Sequence, residues 1–174
     1  VDTDYVILVD EQDTELGIME KLDAHLQAKL HRAVSVFIFN SDKKMLLQKR
    51  AVNKYHSANL WTNTCCSHPK PGESTDSAAQ RRLREEMGLD GSLQAAFNFT
   101  YSANLDNGIT EHEFDHVFFG FMNDIPTPNP QEASDYKYMS LDDIENELQQ
   151  NPEQFTEWFK LIFDKVKTEI SKIK

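Results

Sequence analysis

The chain has 174 residues, 39% of them hydrophobic and 27% charged, with six glycines and six prolines. That is the composition of a globular protein long enough to bury a sizeable core, and a single domain spanning residues 1–174 is expected. Lys plus Arg number 18 against 29 Asp plus Glu, a net charge of −11, which argues against a broad nucleic-acid surface but allows a few cations in one cleft to attract a small anion.

No apolar run approaches the ~20 residues of a membrane span. Asp2, Asp4, Asp10 and Glu11 carry the wrong charge for a signal or transit peptide, so a cytoplasmic protein is expected. Tyr5 to Val9 reads as a strand. Ile18 to Ala28 is mixed and reads as loop with a helical turn. Ala33 to Phe39 is β-branched and aromatic, and Asn40-Ser-Asp-Lys43 turns it into Met45 to Lys49 as a hairpin. Leu60 to Cys66 reads as another strand. Asp76 to Met87 has Ala78, Ala79, Leu83 and Met87 near helical spacing, with Ser74 or Thr75 as N-cap and Gly88 as a stop. Ala95 to Tyr101 and Glu113 to Met122 are strand-like, and Pro126, Pro128 and Pro130 mark a loop. Ser140 to Leu148 opens with a capping Ser, and Asn151-Pro starts a last helix to about Ile170 with Phe155, Trp158, Phe159, Ile162, Phe163 and Val166 on its apolar face. Strands in the middle with helices between and after them predict a mixed α/β layered domain.

The run Trp61-Thr-Asn-Thr-Cys-Cys-Ser-His-Pro69 places thiol and imidazole together. Adjacent cysteines have Cα atoms ~3.8 Å apart, too close for the usual ~4.4–6.8 Å of a disulfide, so Cys65 and Cys66 should be reduced thiols. On an extended chain Cys66 and His68 share one face and Cys65 turns away. At most one thiol then enters a site with His68; the bland alternative is two small buried hydrophobes. In Glu111-His-Glu-Phe-Asp-His116, Glu111, Glu113 and Asp115 share a strand face. Such a ladder repels itself unless neutralised, as in a divalent-metal site or on a solvated edge strand. His112 and His116 read as structural or surface residues. His25 and His31 fit no local chelate rule. Candidate cations for a cleft are Lys21, Lys49, Arg50, Lys54, Arg81 and Arg82.

The helix carries a stronger signal. The Nudix box has the form Gly-x5-Glu-x7-Arg-Glu-apolar-x-Glu-Glu-x-Gly-apolar. Glu73 takes its first Glu and Arg81-Arg-Leu-Arg-Glu-Glu-Met-Gly-Leu89 its end, at the full spacing, with Ser67 for the opening Gly and Arg82 for a Glu. In the hydrolases clustered helix carboxylates hold Mg²⁺. Arg82 removes one such ligand and adds a cation, which disfavours hydrolysis and favours holding a diphosphate. The alternative is a surface helix with intrahelical Arg–Glu pairs.

Taken together, these motifs, with Tyr101, Gly108-Ile-Thr-Glu-His-Glu113 and Phe155-Thr-Glu-Trp158, resemble type 1 isopentenyl-diphosphate Δ-isomerase, a Nudix-fold family, from Lys21 to Trp158. The resemblance implies a mixed β-sheet core sandwiched by helices and conversion of isopentenyl diphosphate to dimethylallyl diphosphate through a tertiary carbocation. It implies Cys66 and Glu113 as the acid–base pair with Tyr101 beside Glu113, and His25, His31, His68, Glu111 and Glu113 as ligands of Zn²⁺ or Mn²⁺. Glu86 is implied for a Mg²⁺ ion bridging to the diphosphate, Lys21, Arg50, Lys54 and Arg82 for the diphosphate itself, and Trp158 for the hydrocarbon tail. The gap from His25 to His31 is one residue shorter than in some family members. The partner expected is a small prenyl diphosphate, with no nucleic acid and no membrane, bound by a monomer or weak homo-oligomer. The competing functions are a Nudix hydrolase and a non-catalytic metal-binding module.

Overall fold

A computed structural model describes residues 4–173. Its elements are β1 (Tyr5–Val9), β2 (Glu15–Glu20), α1 (Lys21–Leu26), β3 (His31–Phe39), β4 (Met45–Arg50), β5 (Trp61–Thr62), β6 (Cys65–Ser67), α2 (Thr75–Met87), β7 (Leu93–Asn104), β8 (Thr110–Phe121), β9 (Ala133–Met139), α3 (Leu141–Gln150) and α4 (Glu157–Ser171). The nine strands join in one mixed sheet. β3 is its hub: it runs parallel to β8 along its whole length, and antiparallel to β1, β4 and β6. The β7–β8 hairpin extends the β8 side, and β9 adds to β4.

The period of two in β3 sorts its side chains into two cores. Val34, Val36 and Ile38 pack with Ala78, Ala79, Leu83 and Met87 of α2, while Phe37 and Phe39 pack with Phe159, Ile162, Phe163 and Val166 of α4. Helices therefore cover both faces, as expected for a sandwiched mixed sheet of the α+β class. Each fully buried Phe or Ile contributes about 1.5–3 kcal/mol, so the two helix faces dominate the packing. Ser74, Ser140 and Thr156 cap α2, α3 and α4 by accepting from Ser77, Asp143 and Phe159 backbone N–H groups. Gly88 ends α2 at φ 63°, and a Cβ there would lie 2.8 Å from the Thr127 carbonyl oxygen, so both conformation and space call for glycine.

Four elements differ from the expectation. Ile18 to Ala28 is not mainly loop: β2 pairs with β1 up to Glu20, and the Glu20 side chain then caps α1. Leu60 to Cys66 is two strands, because Asn63 and Thr64 turn their side chains to buried backbone groups of other strands. β9 is a strand without sequence alternation strong enough to mark it. The last helix starts at Glu157, capped by Thr156, not at Asn151-Pro; the proline opens a short 3₁₀ turn, and Phe155 is extended and bridges to Trp61.

Candidate active site

The α4-side face of the sheet is apolar at one end and polar at the other. Phe37, Phe39, Val117 and Phe119 form the apolar half under α4. His31 and Ser35 of β3, Cys66 of β6 and Glu111, Glu113 and Asp115 of β8 continue the same face. The registers make this explicit: His31 lies opposite Glu113, and Ser35 opposite Cys66. Cys65, opposite Val36, points into the α2 core and is fully buried. The two thiols are thus separated by one turn of the pleat, as their spacing predicted, and both are free.

Five donors converge at the edge of this polar half. One ligand atom each from His25, His31, His68, Glu111 and Glu113 lie within 4.8 Å of one another. Glu113 Oε2 is 2.7 Å from His68 Nε2 and 3.2 Å from His31 Nε2, and the Tyr101 hydroxyl donates a short hydrogen bond to Glu113 Oε1. His31 Nδ1 faces the Lys29 carbonyl at 2.8 Å; a carbonyl only accepts, so that nitrogen carries the proton and Nε2 is left for the cluster. His25 enters from α1, with Nδ1 2.7 Å from the Tyr55 hydroxyl, so the short His25–His31 gap still delivers both rings, centroids 5.1 Å apart.

The electrostatics of the cluster suit a cation. Burial pushes His25 down to about 3 against the pull of Glu111, and burial with neighbouring His31 pushes His68 well below the usual range. Both imidazoles are therefore neutral and offer a lone pair. Burial pushes His31 down too, but the hydrogen bond and charge of Glu113 outweigh it and raise the group. Glu113 is held below its ordinary value: burial raises it, and the hydrogen bonds from His31 and Tyr101 more than reverse that. His25 Nε2 is buried with no hydrogen-bond partner, 3.7 Å from Glu111 Oε1. An orphaned imidazole nitrogen beside two buried carboxylates fits a divalent metal, and the N/O donor set is compatible with Zn²⁺ or Mn²⁺.

Cys66 lies in the same recess as His25, His68, Tyr101, Glu111, Glu113 and Trp158. Its thiol donates to Asn63 Oδ1 at 2.9 Å and accepts from Trp158 Nε1 at 3.1 Å. Burial, with Asp115 and Glu86 nearby, pushes that thiol up, so it is protonated at neutral pH. Asp115 is likewise pushed well up by burial and by Glu113, and accepts from Ser35 Oγ at 2.6 Å.

Lys21, Lys54, His68 and Arg82 line both this recess and a wider basin outside it, which also takes Lys70 and Arg81; Arg50 lines the inner recess. Lys49 lines neither. Arg81 is committed elsewhere, forked onto Glu73 at 2.8 and 2.9 Å. Arg82 reaches Glu85 at 2.7 Å, Glu132 at 3.3 Å and Glu86 at 3.5 Å, so the intrahelical pairing forms while the guanidinium still borders the cleft. Glu86 lines neither recess; it is buried behind Arg82, its Oε1 accepting from Gln48 and its Oε2 making no hydrogen bond, with the Arg82 guanidinium 3.5 Å away. The guanidinium of Arg50 lies 5.2 Å from the Trp158 ring, a face that already attracts a cation. Sequence reasoning missed Tyr55, His56, Asn63 and Glu132. His56 Nε2 sits 3.3 Å from Glu111, and Glu132 takes Lys54 at 2.8 Å. None of these has a spacing signal. His112 and His116 stay outside, on the Ala28 carbonyl and on Asp13.

Residues 29–159 match the NUDIX domain family. The chain is 55% identical over 161 residues to the isopentenyl-diphosphate Delta-isomerase of Pectobacterium atrosepticum, covering 92% of this chain and 90% of that protein. It is 52% identical over 163 residues to isopentenyl-diphosphate Delta-isomerase 1 of Aromatoleum aromaticum, covering 94% and 92%. Among solved structures it resembles DR0079 from Deinococcus radiodurans, with a TM-score of 0.80 at 18% identity over 93% of this chain and 98% of that one. The MutT protein of Methanosarcina mazei superposes with a TM-score of 0.67 at 20% identity, over 80% and 94%. Those two structures speak to the fold alone.

Proposed function

This chain belongs to the NUDIX family and, within it, to the isopentenyl-diphosphate Delta-isomerases; on that premise we propose that one domain spanning residues 1–174 interconverts isopentenyl diphosphate and dimethylallyl diphosphate for isoprenoid biosynthesis. The observation that carries the reading is a thiol and a carboxylate, Cys66 and Glu113, lining one recess with an aromatic face and a set of cations.

The substrate alkene is unactivated. Its isomerisation needs a proton delivered to the terminal carbon, a tertiary carbocation, and loss of a proton from the allylic carbon on the other side. Cys66 on β6 and Glu113 on β8 flank β3 on opposite edges and are the two proton-transferring groups. Tyr101 donates to one oxygen of Glu113 and fixes the carboxylate. Trp158 presents a π face with no basic lone pair, so it attracts the cation by ~2 kcal/mol or more when desolvated without trapping it. Lys21, Arg50, Lys54 and Arg82 hold the diphosphate and so set where the alkene lies. His25, His31, His68, Glu111 and Glu113 would hold Zn²⁺ or Mn²⁺, and Glu86, through the oxygen that makes no hydrogen bond, would help hold Mg²⁺. Such ions supply positive charge that tunes Glu113 and neutralises the diphosphate. Arg82 where the hydrolases carry a carboxylate supports isomerisation over hydrolysis.

The protein acts on a small prenyl diphosphate in the cytoplasm, as a monomer or weak homo-oligomer. A net charge of −11 supports the exclusion of nucleic acid, and among the described residues no helix is long and apolar enough to cross a membrane. The test is proton NMR of isopentenyl diphosphate with the protein, Mg²⁺ and Mn²⁺ in D₂O. Dimethylallyl diphosphate with deuterium in its allylic positions is expected. Unchanged substrate from folded, metal-loaded protein, or phosphate release instead, would reject the reading.

A further inference from the structure

Asn63, Thr62 and Thr156 have no part in the chemistry proposed above, yet all three are buried to within 1% of full enclosure and all three are polar. Their hydrogen bonds, together with the backbone from Thr156 to Trp158, form a closed ring through Cys66. Both amide protons of Asn63 are used, on the Val36 carbonyl at 3.0 Å and the Cys65 carbonyl at 2.9 Å. Carbonyls only accept, so the amide cannot be flipped, and its Oδ1 must face the other way. That oxygen receives the Cys66 thiol at 2.9 Å and the Thr62 hydroxyl at 3.0 Å. Thr156 caps α4 by accepting from Phe159 N–H, which leaves its own proton for Thr62 Oγ1 at 3.0 Å. Thr62, accepting that hydrogen bond, donates its own to Asn63 Oδ1. Each of these protons has one acceptor, and the two arms, Thr156 through Thr62 and Trp158 through Cys66, converge on Asn63 Oδ1. Trp158, in the first turn of the helix that Thr156 caps, closes the ring by donating to Cys66 Sγ at 3.1 Å.

We propose that Asn63 is a positioning residue for Cys66: it holds the sulfur and its proton in register with the Trp158 ring, and Thr62 and Thr156 lock Asn63 to the start of α4. The inference rests on the reading of Cys66 as a proton-transferring group. Asn63 itself does not line the recess that Cys66 shares with Glu113 and Trp158. It fixes the side-chain rotamer of Cys66, so that delivering the proton requires only rotation about Cβ–Sγ away from Oδ1. The ring explains why a Thr-Asn-Thr break interrupts what would otherwise be one strand: the break turns the amide inward beneath the thiol.

The test combines kinetics with the infrared S–H stretch, which falls in a window free of other protein bands. Subtracting the spectrum of Cys66→Ala from that of the wild type isolates the Cys66 band. A frequency lowered by S–H···O bonding is expected, and Asn63→Ala should move it to that of an unbonded thiol. Asn63→Ala should lower kcat by about tenfold, what one hydrogen bond is worth, with KM within about twofold. Because that variant also loses two buried backbone contacts and can misfold, Thr62→Val and Thr62→Ser provide the second pair. They are close in shape, but only serine keeps the hydroxyl. Thr62→Val should shift the band and lower kcat by about threefold, and Thr62→Ser should restore both. An unbonded S–H frequency in the wild type, or full kcat in folded Asn63→Ala, would overturn the proposal. If the wild type fails to isomerise, the functional reading falls separately, and the band alone decides whether Asn63 holds the thiol.

Discussion

Stripping the metal tests the donor cluster most directly. Its five ligand atoms lie within 4.8 Å of one another, and the carboxylates of Glu111 and Glu113 are both buried. Two unit negative charges at about that distance repel by about 3 kcal/mol at an effective dielectric of 20. In the absence of a cation the His31–Glu113 pair relieves only part of this. A cation present at roughly a thousand times its dissociation constant and bound only by the folded chain adds about 4 kcal/mol. For a chain of 174 residues, where each kcal/mol moves Tm by about 2–4 °C, chelation should lower Tm by roughly 8–16 °C. Differential scanning calorimetry of chelator-treated protein, before and after adding back Mn²⁺ or Zn²⁺, reads this shift. The His25→Ala protein should show a much smaller response, because it removes the one ligand nitrogen that has no other partner. The metal-free protein should also be acid-sensitive. His25 is depressed from 6.5 to about 3 in the folded state, so between those values the unfolded chain binds the extra proton. Its contribution is therefore complete above about pH 6.5 and is lost as pH falls toward 3. A Tm that ignores chelator and metal alike, or an undiminished metal response in His25→Ala, would refute the cluster as a metal site.

Two further predictions concern residues whose surroundings differ sharply. Cys66→Ala should abolish nearly all turnover with little change in Tm, whereas Cys65→Ala, which leaves a small void under α2, should cost about 1 kcal/mol of stability and keep most of kcat; equal losses of activity in the two variants would contradict the opposite facing of the thiols. Arg82→Gln should raise KM by about ten- to a hundredfold, the worth of charge-assisted bonds of about 1.5–3 kcal/mol to the diphosphate. It should also lower Tm, since Glu86 and Glu132 lose their common cation. Unchanged KM in steady-state assays would remove Arg82 from the diphosphate contacts.

Much of this protein is decided locally. The alternation of Val34 to Phe39, the capped helix from Thr75 to Met87 and the pleat that separates Cys65 from Cys66 follow from periods of two and 3.6 and from the side chains at helix ends. So does the shared face of Glu111, Glu113 and Asp115, although only burial distinguishes a cation site from a solvated edge strand. The helix start at Glu157, capped by Thr156, was hidden because Asn151-Pro carries the same signal, and the backbone bridge of Phe155 to Trp61 overrode it. The weak strands β2 and β9 exist because β1 and β4 offer them hydrogen-bonding edges. The chemistry depends on longer reach. His25 and His31 have no spacing rule of their own, and resemblance to relatives was the only sequence route to them. They meet Glu111 and Glu113 because β3 and β8, about eighty residues apart, pair in parallel with His31 opposite Glu113. Asn63 and Thr156 likewise meet through Thr62 only when α4 closes over the sheet. Periodicity and caps act within a turn or a pleat and can be read along the chain. Register between distant strands is set by the sum of two cores, and it exists only once both have packed.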